Sequence, residues 1–554
     1  MRLESSEAGS NRASTAAFIA HRSSGFSQLT LLTIVAVFAI YWLAILGYQR
    51  VNGAAQAGFW GYTDEPSHYV SGLLVRDYLQ SGFHETPLHY ALRYYDHVPY
   101  FAIGYWPPLF YAVEGVWMCL FGLSRTSALA LVAMIGAGCA LLVFLCLRRR
   151  VGGWTACGAG FLFLLMPAVR WSEGMVMTDL LVALFSFSAL MAFARFLDTP
   201  RTRWIVAFAF LAAAAIFTKN SAAFLALTVP LAILFAGRWR LLMNPRLWIA
   251  PFLIALLYAP WYSITKQYMN RGFDSRKPPV LETMAQLGAL FLDNAWVLAP
   301  LVLTGVWYAF RRGRAPGLAA VCVAAPIAQF VFQTAAPVGN EPRYLIPSFP
   351  GLIVLSVLAL RELAEQLPGE RRRVAVAGAI ALLTSLFVIR VAIDYKPTTP
   401  DPTGAVDAFA ASHGYRSILV SGDAEGPMIA GISGVEPDRL SRFLVRPSKL
   451  LAHMNWTGTI YQPRYKSKEE LESLFERVPL DVLLVRMNPA DDAPLHEFLL
   501  RDMVEAYPDR WRLTSAFTCG GSRYAAYEPI VEPSITPGEL EERIHTALGS
   551  RQEP

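Results

Sequence analysis

Residues 59–110, FWGYTDEPSHYVSGLLVRDYLQSGFHETPLHYALRYYDHVPYFAIGYWPPLF, are far richer in groups able to move protons than the apolar sequence around them. They carry Asp64, Glu65, Asp77, Glu85 and Asp96, and four of the nine histidines, His68, His84, His89 and His97. Tyrosines and tryptophans are interleaved, and Pro107-Pro108 closes the stretch. Aromatic rings mark membrane–water interfaces. A carboxylate pair on a wet loop beside a bilayer suits proton transfer with a polar substrate. The competing role is structural: Asp64 or Glu65 can cap a helix that begins near Pro66. Tyr69, Val70, Leu73, Leu74 and Tyr78 would form its apolar stripe.

The elements that must position these groups are membrane helices. Of 554 residues, 54% are hydrophobic and 16% charged, with 14 Trp and 33 Phe; a soluble domain carries about a quarter charged. The net charge of +6 comes from short basic runs between apolar segments, which read as topology signals and not as a nucleic-acid surface. The six cysteines form no CxxC pair, so neither a disulfide framework nor a thiolate metal site is indicated.

Residues 1–28 read as a polar cytoplasmic tail, and 29–48 as a first span acting as a signal anchor. Further spans are predicted at 127–147, 151–169, 176–197, 204–218, 220–237, 247–265, 293–310, 315–336, 344–360 and 374–393. Segment 106–124 decides the topology. Glu114 interrupts it at its middle, where a charge is costly in lipid. Laid along the surface instead, it leaves sixteen arginines on one side, at 148–150, 195, 201, 203, 238, 240, 246, 311, 312, 314, 361 and 371–373. The short connections opposite hold Arg170, Lys219 and Arg343. Positive-inside bias therefore predicts eleven spans, with the N-terminus cytoplasmic and the C-terminus outside.

That alternation gathers Asp64, Glu65, Glu173, Asp179, Lys219, Arg343 and Tyr344 on the outer face, where charges flanking spans are candidates for function. Each has a plainer role available. Glu173 and Asp179, six apart, share no helix face, and either can cap the next helix or orient a substrate group. Lys219 can snorkel to the interface or hold a phosphate as a point charge. Arg343 can clamp a phosphate or simply pair with Glu341. Loop 266–293, with Lys266, Arg271, Arg276 and Lys277, is either a lid attracting anionic head groups or a solvated connector. After Lys396 the composition turns soluble. A helix over 403–413, strands at 417–421 and 481–486, a helix over 494–507 and paired strands at 512–518 and 523–528 predict a small α/β domain. Its SGDAEG turn resembles a strand–turn–helix anion site but matches no nucleotide motif.

The order of these motifs resembles the glycosyltransferases of the membrane-embedded C fold, in particular lipid A aminoarabinose transferases and protein O-mannosyltransferases. The shared pattern covers roughly 29–393. It comprises Asp64-Glu65 before the aromatic-rich helix with His68, Pro107-Pro108-Leu109-Phe110-Tyr111 through Phe121-Gly122, Asp179 closing GMVMTD, Thr218-Lys219-Asn220-Ser221, and Arg343-Tyr344-Leu345-Ile346-Pro347. The aminoarabinose enzymes carry Glu-Lys before the Pro-Pro; here Tyr105-Trp106 stand there, so that substrate is not implied.

The resemblance implies an all-α polytopic fold of about eleven transmembrane helices with first outer loop 49–126, followed by an extracytoplasmic α/β domain over 394–554. It implies a bacterial inner-membrane enzyme that moves a sugar from a polyprenyl phosphate or diphosphate to an acceptor hydroxyl on a lipid, glycan or protein. Asp64 is then the catalytic carboxylate, with Glu65 beside it as base or nucleophile. Lys219, Arg343 and Tyr344 meet the donor phosphate, and Asp179, Glu173 and His68 position substrate. One displacement predicts inversion; a retaining route needs a second carboxylate at the sugar. A divalent metal is compatible with these side chains, although no ligand set is spaced to hold one. Two other readings compete. A flippase of lipid-linked glycans would show charges inside spans and broken helices in repeated halves, whereas here the charges sit at span ends and no halved repeat is seen. A non-catalytic partner protein would keep the fold and lack turnover.

Overall fold

The computed structural model describes residues 30–548, apart from positions 60 and 520 and segments 270–278, 312–315, 336–339, 395–414, 423–424 and 456–459. Arg271, Arg276 and Lys277 of the predicted basic loop, and the predicted helix over 403–413, lie outside the described residues.

Helix α1 (Thr30–Val51) leads into a connection holding α2 (Glu65–Gln80), α3 (Pro87–His97) and α4 (Leu109–Phe121). Then follow α5 (Arg125–Val151), α6 (Gly153–Leu164), α7 (Pro167–Glu173), α8 (Asp179–Asp198), α9 (Thr202–Thr218) and α10 (Phe224–Phe235). The helical part closes with α11 (Ile249–Met269), α12 (Val280–Ala295), α13 (Ala299–Phe310), α14 (Gly317–Ala335), α15 (Phe349–Leu363) and α16 (Gly369–Ile393). Among the described residues, eight helical segments are long and apolar enough to cross a bilayer, and α6 and α7, bent by 73°, make a ninth if counted as one. The chain is thus a polytopic membrane protein. The described residues of all eleven predicted segments fall mostly on helices. The segments 204–218 and 220–237 coincide with helices shorter than a crossing of ~20 residues requires.

Small residues let these helices approach closely, as lipid-embedded packing favours. At Gly160 of α6 a Cβ would fall 2.1 Å from the hydroxyl oxygen of Tyr41, which donates to the Cys157 carbonyl and ties α1 to α6. Helix α4 is fixed differently. Glu114, the residue that argued against a span, is fully buried against α2, where a Cβ at Gly72 would fall 2.5 Å from its carboxyl carbon. Burial, with Glu65 nearby, pushes the Glu114 carboxyl well above the usual carboxylate range, so it packs as a neutral acid. In α3 the chain sets its own start: Thr86 accepts from the backbone N–H of His89 and Pro87 occupies the first turn.

The C-terminal domain has a five-stranded mixed sheet in the order β2-β1-β5-β7-β6: β1 (Ser417–Val420), β2 (Phe443–Val445), β5 (Val482–Arg486), β6 (Trp511–Cys519) and β7 (Ser522–Pro529). The short β3 (Ala452–Met454) and β4 (Tyr461–Pro463) pair separately. Strands β2, β1 and β5 are parallel, and β7 runs antiparallel to β5 and β6. The sequence predicted β1, β5 and the β6–β7 hairpin. It missed β2–β4, three residues each, too short for a two-residue period to register. Helices α17 (Glu425–Val435), α18 (Lys468–Arg477), α19 (Leu495–Ala506) and α20 (Pro537–Leu548) complete the domain. It sits on the first connection: the Arg439 guanidinium donates to both oxygens of Asp77 in α2 at 3.1 and 3.0 Å, and Arg446 reaches the Pro99 carbonyl.

Candidate active site

Three loops and a helix start converge on one ion cluster. Asp64 precedes α2, Asp179 opens α8, Lys219 ends α9, and Arg343 and Tyr344 lie in a short turn before α15. The Arg343 guanidinium donates to Asp64 Oδ2 at 2.9 Å and lies 2.7 Å from Glu341 Oε2 and 3.9 Å from Asp179 Oδ2. Lys219 Nζ donates to Asp179 Oδ1 at 2.6 Å. Asp179 thus links the two cations, and Asp64 closes the outer end: its side chain is 16% exposed, that of Asp179 1%.

Aromatic rings hold the cations in place. Arg343 lies 4.5 Å from the Tyr62 ring centroid and 5.2 Å from that of Tyr344, and Lys219 lies 4.7 Å from the Tyr344 centroid. The Tyr62 hydroxyl donates to Glu341 Oε1 at 2.6 Å and accepts from Arg343 at 3.1 Å. Burial pulls the Lys219 ammonium down; Asp179 counters this and Arg343 adds to it. His68, inside α2, is pushed down to about 3 by burial and by the positive charge of Lys219 and Arg343, so it stays neutral in the physiological range. Its Nδ1 shares a 2.7 Å hydrogen bond with the Tyr111 hydroxyl, and its ring lies 4.6 Å from that of Trp106.

Asp64 stands at the N-cap of α2 but makes no capping hydrogen bond; its carboxylate turns to Arg343 instead. The Glu341–Arg343 pair exists, and Arg343 spans it and Asp64 together. Two of the expected site residues make other contacts. The Glu65 carboxylate turns to Arg125, whereas that of Asp64 meets Arg343. Glu65 is fully buried, accepts from Arg125 Nε at 2.9 Å and from the Val176 backbone N–H at 3.0 Å, and fastens α2 to the turn before α8. Burial raises its carboxyl and the Arg125 charge opposes the rise. Glu173 is not at the cluster either. It is buried, with Oε1 against Gly136 of α5 and no hydrogen-bond partner on that oxygen. Sequence reasoning missed Tyr62 and the Asn220 link. Asn220 donates to the Tyr105 carbonyl at 3.3 Å and accepts from Tyr258 at 3.0 Å, joining the Lys219 turn to the first connection and α11. The aromatic run before Asp64 was the available signal for Tyr62.

The first two residues of the SGDAEG turn already hold an anion. Ser421 Oγ and the Gly422 N–H each donate at 2.8 Å to the two oxygens of Glu497, so the protein's own carboxylate occupies the place a phosphate would take. Among the described residues one His/Asp/Glu group has metal-ligand spacing, Asp96, Glu541 and His545, and it shares no residue with the ion cluster.

Residues 106–264, under a third of the chain, match the profile of the family described as dolichyl-phosphate-mannose-protein mannosyltransferase. No curated protein matches the chain. Among solved structures, ArnT from Cupriavidus metallidurans in the apo state aligns with a TM-score of 0.55 at 15% identity, covering 90% of this chain and 98% of that one. The same protein bound to undecaprenyl phosphate gives 0.53 at 16%, over 90% and 97%. The apo oligosaccharyltransferase of Archaeoglobus fulgidus gives 0.54 at 12%, over 88% and 80%. The chain therefore has the membrane-embedded C fold of these transferases over about nine-tenths of its length.

Proposed function

We propose that the protein transfers a sugar from a polyprenyl-phosphate donor to an acceptor hydroxyl on the extracytoplasmic face of a bacterial inner membrane, with inversion. The observation that carries this reading is the cluster itself. Lys219 and Arg343 are held by Asp179, Asp64 and Glu341, carboxylates that a donor phosphate can replace. As the phosphate draws the two cations, Asp64 is released toward the outer end of the site. The acceptor oxygen then attacks the anomeric carbon, Asp64 takes the hydroxyl proton, and the bond from carbon to phosphate oxygen breaks with its electron pair left on the phosphate. Tyr344 steadies both cations, and neutral His68 offers a ring nitrogen for positioning without adding charge. The ArnT structure with undecaprenyl phosphate supports a lipid phosphate as the carrier, and the mannosyltransferase profile supports a sugar as the group transferred.

The topology belongs to the same reading. Counting the bent α6–α7 pair, α9 and the helix over 220–235 as crossings with the eight long segments gives eleven. Helix α4, thirteen residues long and so roughly 20 Å, is too short to span and lies along the outer face. The domains are then 1–28, 29–393 and 394–554, with loop 49–126 and the last domain extracytoplasmic. The test incubates purified protein with extracted polyprenyl-phosphate sugars and an envelope-lipid or peptide acceptor, and measures release of free polyprenyl phosphate together with transferred sugar. Release above a Lys219→Ala control supports the reading. No release from any donor in the extract would overturn it.

A further inference from the structure

Helix α20 carries Glu541 and His545 at a spacing of four, on one face. That face meets Asp96, one residue from the end of α3. One ligand atom from each of the three side chains lies within 4.8 Å of the others, and all three residues are partly buried.

The contact between His545 and Asp96 has the form of two ligands and not of a donor and acceptor. His545 Nε2 is 3.3 Å from Asp96 Oδ1, yet the atoms make no hydrogen bond, and Nε2 is closed off from solvent with no hydrogen-bond partner among the described residues. Two ligand atoms about 2.0–2.1 Å from one tetrahedral ion are separated by roughly 3.3 Å, and each points at the ion instead of at its neighbour. Glu541 is the looser member. It also lines a cavity of about 570 Å³ between α3 and the C-terminal domain, which leaves room for a water as fourth ligand. Two carboxylates and a neutral imidazole balance the charge of a divalent ion. One nitrogen among the donors favours the zinc class over calcium or magnesium, which prefer oxygen alone.

We propose that Asp96, Glu541 and His545 bind a zinc-class divalent ion that clips the last helix of the C-terminal domain to the first connection. The site shares no residue with the ion cluster and does not rest on the transferase reading. The test uses the full-length protein in detergent, its affinity tag removed, stripped with chelator, titrated with zinc by calorimetry and assayed for bound metal after desalting. We expect one equivalent of tightly bound zinc and a raised melting temperature. His545→Gln should lose both, and His545→Cys, which restores a zinc ligand, should recover the bound equivalent. Asp96→Asn should weaken binding at least tenfold. Gel filtration checks that each variant is folded. Zinc binding by His545→Gln equal to that of the native protein, no zinc bound by the native protein, or tighter binding of calcium than of zinc would each overturn the proposal.

Discussion

Asp64→Asn separates chemistry from architecture at the proposed base. Asp64 makes no capping hydrogen bond, and its carboxylate meets Arg343 at 2.9 Å. Asparagine keeps an oxygen acceptor there, and Arg343 retains Glu341 at 2.7 Å and Asp179 at 3.9 Å. The loss in stability should therefore be about 1 kcal/mol, the size of one hydrogen bond weakened but not removed. The effect on turnover should be much larger. Removing a general base typically lowers the rate roughly 100- to 10,000-fold, which raises the barrier by about 2.7–5.4 kcal/mol. Donor affinity should move the other way, because one of the carboxylates competing with the donor phosphate for Arg343 has lost its charge. The assay pairs single-turnover sugar transfer with donor binding to the same preparation of folded protein. We predict turnover at least ~100-fold down with donor binding equal to or tighter than native. Near-native transfer would remove Asp64 as the base, and a parallel loss of donor binding would reassign it to the phosphate site.

Lys219→Ala should weaken donor binding and leave Asp179 with Arg343, at 3.9 Å, as its cation among the described residues; donor kinetics that do not change would remove Lys219 from the site. Glu65→Gln should act on folding and not on turnover, because it strips the half-buried Arg125 of its anion. Breaking such a pair costs about 3–5 kcal/mol, so a lower melting temperature with activity per folded molecule within tenfold is expected, and a selective loss of turnover would restore Glu65 to the chemistry. The folded pKa of His68, about 3, lies below its unfolded value of about 6.5. The unfolded chain therefore takes up a proton that the folded chain refuses, and stability contributed at this residue falls as pH drops from 6.5 toward 3. His68→Phe should flatten that part of the melting-temperature profile, and an unaltered slope would argue against a neutral buried imidazole. Cysteines placed at Arg149 and at Asp491 should be labelled from opposite sides of the membrane; labelling from one side would refute the eleven-span topology.

The apolar segments and the arginines between them were legible without coordinates, because spanning length and positive-inside bias act locally along the chain. The same locality exposed Asp64, Asp179, Lys219 and Arg343 as charges at segment ends, and exposed Glu114 as a break in the segment over 106–124. Local pattern also gave β1, β5 and the β6–β7 hairpin. What it could not give was direction. Asp64 and Glu65 are neighbours in sequence, but Glu65 already belongs to the first turn of α2, and the helical step turns its carboxylate inward to Arg125 while that of Asp64 meets Arg343. Glu173 and Asp179 looked equivalent at the ends of adjacent segments, yet the bend at α6–α7 carries one into the helix bundle and the start of α8 aims the other at Lys219. Asp64 and Arg343 are 279 positions apart. No local period records such a meeting. Only the packing of α2, α8, α9 and the turn before α15 brings two cations and two carboxylates within reach of one another, and it does so because the helix ends that carry them are fixed by close-packed helix faces far from the site.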